Sequence, residues 1–299
     1  MVSRRLIRYL TCAGYEATAV HEPEHVAENI QGVSLLITDA FDGDLMVNMI
    51  NQQPSLRGVL LTAEPINRTL RHCIEHPQIS NVLGRKDFES IPAGWEILMV
   101  ARRLLKPNDA GPAFAHYLDW GFGGFQQKVP TTDERDAVVK KVQQFISHLG
   151  VPKRVGEYFG EVAHEMLMNA MYDAPVDAQG NAIYAQDRKA NLSLREHEQP
   201  TLRLASDGSR LAMSVVDPFG RLERKHVFAG LARGLAGGEM DRSHGGAGLG
   251  MVVCHNATIG MFFDVVKGKK TEVTGIFDLD MNLREFRSHA KSLHYFEGS

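Results

Sequence analysis

The hydrophobic and polar positions of the first hundred residues divide into short apolar runs separated by amphipathic stretches. The runs have strand length, and the stretches between them repeat their apolar residues with helical spacing. The predicted strands are 15–20, 33–39, 57–64 and 80–86. The predicted helices are 2–14, 24–31, 45–53, 69–76 and 93–105. Because apolar strands that alternate with helices are typical of a parallel sheet covered on both faces, the pattern predicts a parallel α/β domain over residues 1–106.

After residue 130 the pattern changes to long helices and to strands that follow each other closely. The predicted helices are 131–150, 153–174, 224–238 and, after a glycine-rich turn, the rest of 246–260. The predicted strands are 201–207, 210–217, 261–268 and 271–281. Strands packed with long helices on one face predict an α/β sandwich over residues 131–299. The polar stretch 173–200 is expected on the surface, and 107–130, which starts with a run rich in Pro and Gly, is predicted to be a linker.

Charge and composition exclude several classes of function. The 299 residues contain 33 Lys and Arg against 36 Asp and Glu, a net charge of −3, so the chain offers no basic field for nucleic acid and no polybasic membrane signal. No apolar run reaches the roughly 18 residues that a membrane-spanning helix needs, and the N-terminal stretch lacks a signal-peptide core. The three cysteines lie far apart, which favours reduced thiols over a disulfide framework. We therefore expect a cytoplasmic protein that binds neither nucleic acid nor membrane.

Three segments of the second half carry residues suited to nucleotide chemistry. Glu165, Asn169 and Asp173 are spaced by four, so they share one face of the predicted helix. Asp217 ends a predicted buried strand and is followed by a turn. The run 245–250 reads Gly-Gly-Ala-Gly-Leu-Gly and precedes an apolar helix, a combination in which backbone N–H groups and the helix dipole can bind phosphate.

Together these segments resemble the Bergerat-fold ATPases, the superfamily of DNA gyrase, histidine kinases and MutL, over about residues 131–283. The helix with Glu165 and Asn169 matches the N-box, Asp217 matches the adenine-reading aspartate, and the run 246–250 matches the Gly-x-Gly-Leu-Gly box. The resemblance implies a Bergerat α/β sandwich that binds ATP and Mg²⁺. The residues that it assigns to nucleotide binding are Asn169, Asp173, Asp217, Gly220, Gly246, Gly248, Leu249, Gly250 and Thr271.

The residue types suggest a role for each member of this set. The side-chain oxygen of Asn169 suits Mg²⁺, a hard ion that prefers oxygen ligands. Asp217 can accept a hydrogen bond from the adenine amino group, and Glu165 is the candidate general base for water or a hydroxyl nucleophile. Two positions depart from the family's first glycine box, Asp-x-Gly-x-Gly, because Phe219 replaces its first glycine and Arg221 its second. The ring of Phe219 either packs under the adenine or crowds the pocket.

Residues 1–106 resemble the receiver domain of response regulators, which implies a flavodoxin-like sheet. Asp39, Thr62 and Lys86 lie at or near the ends of successive predicted strands, in the order of the family's phospho-acceptor, switch hydroxyl and phosphate-binding lysine. The family's first strand, with the acidic pair that holds Mg²⁺, has no counterpart. Because phosphoryl transfer to Asp39 then loses its main electrostatic support, a pseudo-receiver used for docking or dimerisation is favoured over a working receiver.

The class of Bergerat protein follows from what precedes the N-box. A histidine kinase carries a phospho-accepting histidine on a helical hairpin, and neither His116 nor His148 lies in the usual sequence. A helix that leads directly into the N-box resembles instead the serine kinases of anti-sigma type. The first hypothesis is a signalling regulator that binds Mg-ATP and either phosphorylates a protein partner on Ser or Thr or switches partner binding with nucleotide. The alternatives are a non-catalytic scaffold of two degenerate domains and an atypical histidine kinase. The partner is expected to be another protein or a second copy of the chain.

Overall fold

The chain has an α/β fold, which confirms the predicted fold class at that level. The computed structural model describes residues 2–106, 114–177, 179–237 and 247–298. The α-helices of these residues are α1 (Val2–Cys12), α2 (Val26–Asn29), α3 (Gly43–Gln52), α4 (Leu70–Glu75), α5 (Gly94–Leu105), α6 (Thr132–Ser147), α7 (Lys153–Met168), α8 (Arg224–Leu235), α9 (Ala247–Asn256) and α10 (Leu283–Ser288). The strands are β1 (Leu35–Asp39), β2 (Arg57–Thr62), β3 (Ile79–Gly84), β4 (Gly123–Lys128), β5 (Thr201–Ser206), β6 (Arg210–Asp217), β7 (Gly260–Val266), β8 (Lys270–Asp278) and β9 (Ser292–Gly298).

The chain divides into two compact units. The first unit comprises Met1–Gly111 together with Arg287–His294, and the second comprises Pro112–Phe286 together with Tyr295–Ser299. Strand β9 therefore contributes residues 292–294 to the first unit and residues 295–298 to the second.

In the first unit, β1, β2 and β3 form a parallel sheet, and β9 pairs antiparallel with β3. Strand β3 is buried along its whole length, including its polar residues Ser80 and Asn81. Asp39 is in register with Leu61, and Thr62 is in register with Gly84. The carboxyl ends of β1 and β2, which carry the polar residues Asp39 and Thr62, consequently lie at the same end of the sheet.

In the second unit, antiparallel pairing joins β4 to β5, β5 to β6, β6 to β8, and β8 to β7. The last residues of β9 follow β7 in the strand order. The hairpin between β5 and β6 turns at Gly208, whose φ of +95° lies in the left-handed region that glycine adopts without strain. Register aligns Asp217, the last residue of β6, with Thr271 of β8.

Helix α7 connects the sheet of the second unit to its other helices. It packs against α6, against α9 and against β6. The N-cap of α6 is Thr131, whose hydroxyl accepts a hydrogen bond from the Glu134 N–H at 3.2 Å. The apolar side of α7 enters an aromatic core in which the rings of Phe159 and Phe277 meet edge to face at 6.0 Å. The polar side of α7 is left for the residues of the candidate site.

Three features differ from the sequence predictions. Residues 15–20, predicted as a strand, have no regular secondary structure. The segment 107–130, predicted as a linker, contains β4, whose sequence Gly-Gly-Phe-Gln-Gln-Lys lacks the apolar alternation of a strand and is ordered by its hydrogen bonds to β5. Strand β9 was not predicted either, because its buried polar residues depend on partners far away in the sequence.

None of the helices within the described ranges is both long enough and apolar enough to cross a membrane. The longest, α6 and α7, have 16 residues each.

Candidate functional site

The polar face of α7 continues into a π-helix that spans Asn169–Asp173. Glu165, Asn169 and Asp173 are all partly exposed, whereas Leu167 and Met171 between them are buried. A π-helix is rare, and a single such turn at the end of an α-helix often marks a functional position. The three residues that the sequence predicts for nucleotide binding, magnesium binding and base chemistry thus lie along one helical segment of the second unit.

Arg188, from the polar stretch 173–200, covers part of this face. Its Nη2 donates a hydrogen bond to Asn169 Oδ1 at 3.1 Å and lies 3.2 Å from Asp173 Oδ2. The Tyr172 hydroxyl donates to the Ala190 carbonyl oxygen at 2.6 Å, which fixes the backbone next to Arg188. The sequence analysis missed this arginine because its spacing from Asn169 follows no motif, and only the path of the surface segment brings the two together.

The electrostatics of this face are those of a partly dehydrated acidic site. Burial raises the pKa of Asp173 to about 6, and the nearby charge of Glu165 acts in the same direction. The guanidinium of Arg188 opposes both effects by stabilising the ionised carboxylate. Two carboxylates that share one site attract a cation, and in the structure that cation is Arg188.

Asp217 forms a second polar position, at the carboxyl end of β6. Its Oδ1 accepts hydrogen bonds from the backbone N–H of Phe219 at 2.9 Å and of Gly220 at 3.4 Å, and the Thr271 hydroxyl donates to the same carboxylate. Burial raises the pKa of Asp217 to about 6, although these hydrogen bonds favour the ionised form. A buried carboxylate with a threonine on the neighbouring strand is suited to recognise a planar hydrogen-bond donor.

Gly220 has a structural role that its residue type explains. Its φ of +61° lies in the left-handed region, and a methyl group there would overlap the carbonyl oxygen of Val266. Its own carbonyl oxygen accepts a hydrogen bond from the Gly268 N–H at 3.2 Å. Gly220 therefore packs the turn after β6 against the turn between β7 and β8.

The glycine-rich run reaches the described residues only in part. Gly246 lies outside the described residues, Gly248 lies in the first turn of α9, and Leu249 is nearly half exposed. Gly250 is buried, and a methyl group in its place would overlap the Oε2 atom of Glu165. The Glu165 carboxylate therefore lies against the N-terminal turn of α9, where the helix dipole favours a negative charge.

The predicted receiver residues lie in the first unit. Asp39 and Thr62 line a cleft of about 330 Å³ whose other lining residues include Phe41, Thr69, His72 and Phe88. Lys86 is exposed and is not among the residues that line the cleft. The preceding residue, Arg85, is buried instead and forms an ion pair with Asp39.

The polar groups of this cleft are engaged within the chain. The Thr62 hydroxyl donates to the Glu64 carbonyl oxygen at 2.9 Å and accepts from the Glu64 N–H at 3.1 Å. The other carboxylate oxygen of Asp39 accepts from the Phe41 N–H at 3.2 Å. The sequence analysis expected Lys86, and not Arg85, to be the cation beside Asp39. An error of one residue in the position of a strand reverses the direction of every side chain in it, so the neighbouring residue takes the expected place.

The comparisons with known proteins give no family for the chain. A scan against protein-family models finds no match, and a search of curated proteins finds no significant relative. Over the ranges that the structure describes, no group of three or more His, Cys, Asp or Glu side chains is arranged to hold a metal ion. A metal at the α7 face would need further oxygen ligands from water and, when nucleotide is bound, from phosphate, which is the usual arrangement for Mg²⁺.

Proposed function

We propose that the second unit binds ATP with Mg²⁺ and that the protein is a signalling regulator with a histidine-kinase-like ATPase site. The observation that carries this proposal is the buried Asp217 carboxylate at the end of β6, hydrogen-bonded to Thr271 of the adjacent strand. The Bergerat-like motifs assign these two residues to adenine. An ionised carboxylate is costly to bury, and buried carboxylates with a shifted pKa cluster at functional sites. An adenine amino group is a hydrogen-bond donor that matches this carboxylate.

The phosphate end of the proposed site is the face of α7 together with the N-terminal turn of α9. Asn169 supplies an amide oxygen and Asp173 a carboxylate, and both atoms suit Mg²⁺ when phosphate oxygens and water complete its shell. Helix α9 packs against α7, so its first turn lies close to Glu165. In this proposal Mg²⁺ neutralises the phosphates, the backbone N–H groups near Gly248 and Gly250 hold them, and Glu165 is the general base.

The reaction that we propose is transfer of the terminal phosphoryl group of ATP to a Ser or Thr hydroxyl of a protein partner, which leaves ADP, or else nucleotide-dependent release of that partner. Glu165 supports the first reaction, because a carboxylate at the phosphate end can accept the proton of a hydroxyl nucleophile. The first unit then serves to dock the partner or a second copy of the chain. The ion pair between Asp39 and Arg85 supports this docking role over phosphoryl transfer.

One observation favours the second candidate function, a scaffold that does not bind nucleotide. The guanidinium of Arg188 holds Asn169 Oδ1, which is the atom that the proposal assigns to Mg²⁺. A scaffold would use Arg188 as a permanent structural cation between Asn169 and Asp173.

Glu165→Ala separates binding from chemistry and tests the proposed function. We expect calorimetry to give similar affinities for Mg-ATP in the wild-type protein and in Glu165→Ala. ATP turnover or partner phosphorylation should fall roughly 10²–10⁴-fold in the variant, because it lacks the general base. Equal turnover in both proteins would remove the base assignment, and absence of Mg-ATP binding by the wild-type protein would favour the scaffold.

A further inference from the structure

Arg188 donates a hydrogen bond to the amide oxygen of Asn169, which is the atom that the proposal assigns to Mg²⁺. Its Nη2 lies 3.1 Å from Asn169 Oδ1 and 3.2 Å from Asp173 Oδ2, and its side chain is about four-fifths buried. The Tyr172 hydroxyl holds the carbonyl group of Ala190, two residues further along the chain. The guanidinium is therefore held in place both by its own charge-assisted hydrogen bonds and by the anchored backbone beside it.

A divalent cation at Asn169 would meet this guanidinium at close range. A Mg²⁺ ion binds an oxygen ligand at about 2.1 Å, so an ion on Asn169 Oδ1 would lie only a few ångströms from Nη2 of Arg188. Two positive charges at such a distance repel each other strongly in a partly buried site. Both cations are also attracted by the Asp173 carboxylate, which already pairs with the Arg188 guanidinium.

We propose that Arg188 sets the metal requirement of this site, because its guanidinium and Mg²⁺ compete for Asn169 Oδ1 and for the Asp173 carboxylate. In the protein without nucleotide, Arg188 takes the place of the metal. When Mg-ATP binds, the guanidinium leaves Asn169, and the phosphates supply the ligands that keep the metal there. The inference deepens the proposed function and rests on it for the nucleotide, whereas the competition with metal stands on the contacts of Arg188 alone.

The test compares Arg188→Ala with Lys189→Ala. Lys189 is the neighbouring residue, carries the same charge and is exposed, so its variant removes one positive charge from the same segment without touching Asn169. Mn²⁺ is titrated into each nucleotide-free protein and followed by electron paramagnetic resonance. We expect Arg188→Ala to bind Mn²⁺ on the order of tenfold more tightly than the wild-type protein, which corresponds to the loss of one charge-assisted hydrogen bond that the metal no longer has to displace. Lys189→Ala should bind Mn²⁺ as the wild-type protein does.

A second arm measures ATP affinity in the presence of Mg²⁺ and in the presence of EDTA. Arg188→Ala should bind Mg-ATP more tightly than the wild-type protein and should lose more of that affinity in EDTA. Arg188→Lys keeps the charge but not the planar fork, so its affinity for Mg-ATP should lie between those of the wild-type protein and Arg188→Ala. Such an intermediate affinity would show that the effect of Arg188→Ala does not arise from misfolding.

The outcomes separate the inference from the proposed function. Equal Mn²⁺ affinity in Arg188→Ala and the wild-type protein would overturn the inference, as would weaker Mg-ATP binding by Arg188→Ala, which would make the arginine a phosphate ligand. Tighter Mn²⁺ binding by Arg188→Ala without any ATP binding would support the competition and contradict the proposed function.

Discussion

At the scale of single residues, the chain keeps carboxylates where their ionisation is costly. Asp217 is only 7% exposed, and burial raises its pKa to about 6 even though it accepts several hydrogen bonds. Because an asparagine would avoid this cost, the carboxylate supports the proposed nucleotide site, in which it accepts a hydrogen bond from the ligand. The same reasoning applies to Asp173, whose pKa is also raised to about 6.

Asp217→Asn should change how the stability of the protein depends on pH. The pKa of Asp217 rises on folding from the ordinary aspartate value of 3.8 to about 6, so the folded protein binds this proton more tightly than the unfolded chain. The stability that the Asp217 proton contributes is fully present below pH about 4 and is lost as the pH rises through about 6. At neutral pH the loss is on the order of 2–3 kcal/mol.

Urea unfolding of the variant and the wild-type protein between pH about 4 and 7 measures this effect. The free energy of unfolding should fall less with rising pH in Asp217→Asn than in the wild-type protein, and Asp173 contributes to the part that remains. Identical pH dependence in the two proteins would show that Asp217 does not titrate in this range.

The residues that sequence reasoning missed are cations at strand ends and on surface segments. The motifs bring together Asp217 and Thr271, which are in register on neighbouring strands. They do not identify Arg85 or Arg188, because neither residue belongs to a motif and both act through contacts that the folded chain creates. A carboxylate at a functional position can be recognised by its spacing, whereas its counter-ion can come from anywhere in the sequence.

At the scale of elements, the turn after β6 is fixed by its contact with the turn between β7 and β8. Gly220 adopts φ +61° there, and any side chain would meet the carbonyl oxygen of Val266. Gly208, in the hairpin between β5 and β6, also has a positive φ of +95°, but nothing lies near the position of its missing side chain. The two glycines differ in packing and not in the sign of φ.

Gly220→Ala and Gly208→Ala together isolate the cost of this contact. Gly208→Ala should lower the free energy of unfolding by about 1–2 kcal/mol, from the strain of a positive φ alone. Gly220→Ala should lower it by a further 1–3 kcal/mol or so, because the methyl group cannot fit against backbone atoms. Chemical unfolding measures both variants. Equal losses would mean that the two turns do not pack as described.

Strand prediction succeeded where apolar residues dominate and failed where pairing alone orders the chain. Strands β1, β2 and β3 are apolar runs, and all three were predicted. Strand β9 is harder to recognise, because its His294 is buried between Asn81 and Glu96, at 3.1 Å from each. These partners lie about two hundred residues earlier, so no local pattern indicates that a histidine can be buried there.

At the scale of the whole molecule, the chain combines a parallel sheet unit with an antiparallel one. The first unit is a three-stranded parallel sheet extended by the start of β9, and the second carries the residues of the proposed nucleotide site. The sequence pattern predicted two α/β halves of different kinds, because alternation of strands and helices gives way to closely spaced strands and long helices. It did not predict that residues 287–294 join the first unit.

The first unit should not accept a phosphoryl group from acetyl phosphate. Asp39 is paired with the buried Arg85, so its carboxylate already has a cation as its partner, and one carboxylate cannot build an oxygen shell for Mg²⁺. Intact-mass measurement after incubation with acetyl phosphate and Mg²⁺ should therefore show an unchanged mass. A Mg²⁺-dependent gain of one phosphoryl group that Asp39→Ala lacks would show a working receiver.

The central claim, that Asp217 reads adenine in a nucleotide site, is tested most directly by calorimetric titration of Mg-ATP and Mg-GTP into the wild-type protein and Asp217→Asn. The wild-type protein should bind ATP in preference to GTP, because guanine presents a carbonyl oxygen where adenine presents its amino group. Asp217→Asn should lose about 1–3 kcal/mol of ATP binding free energy, the cost of a buried hydrogen bond to a charged group, and most of the preference for ATP. Equal binding of ATP and GTP by the wild-type protein, or an unchanged ATP affinity in the variant, would contradict the claim.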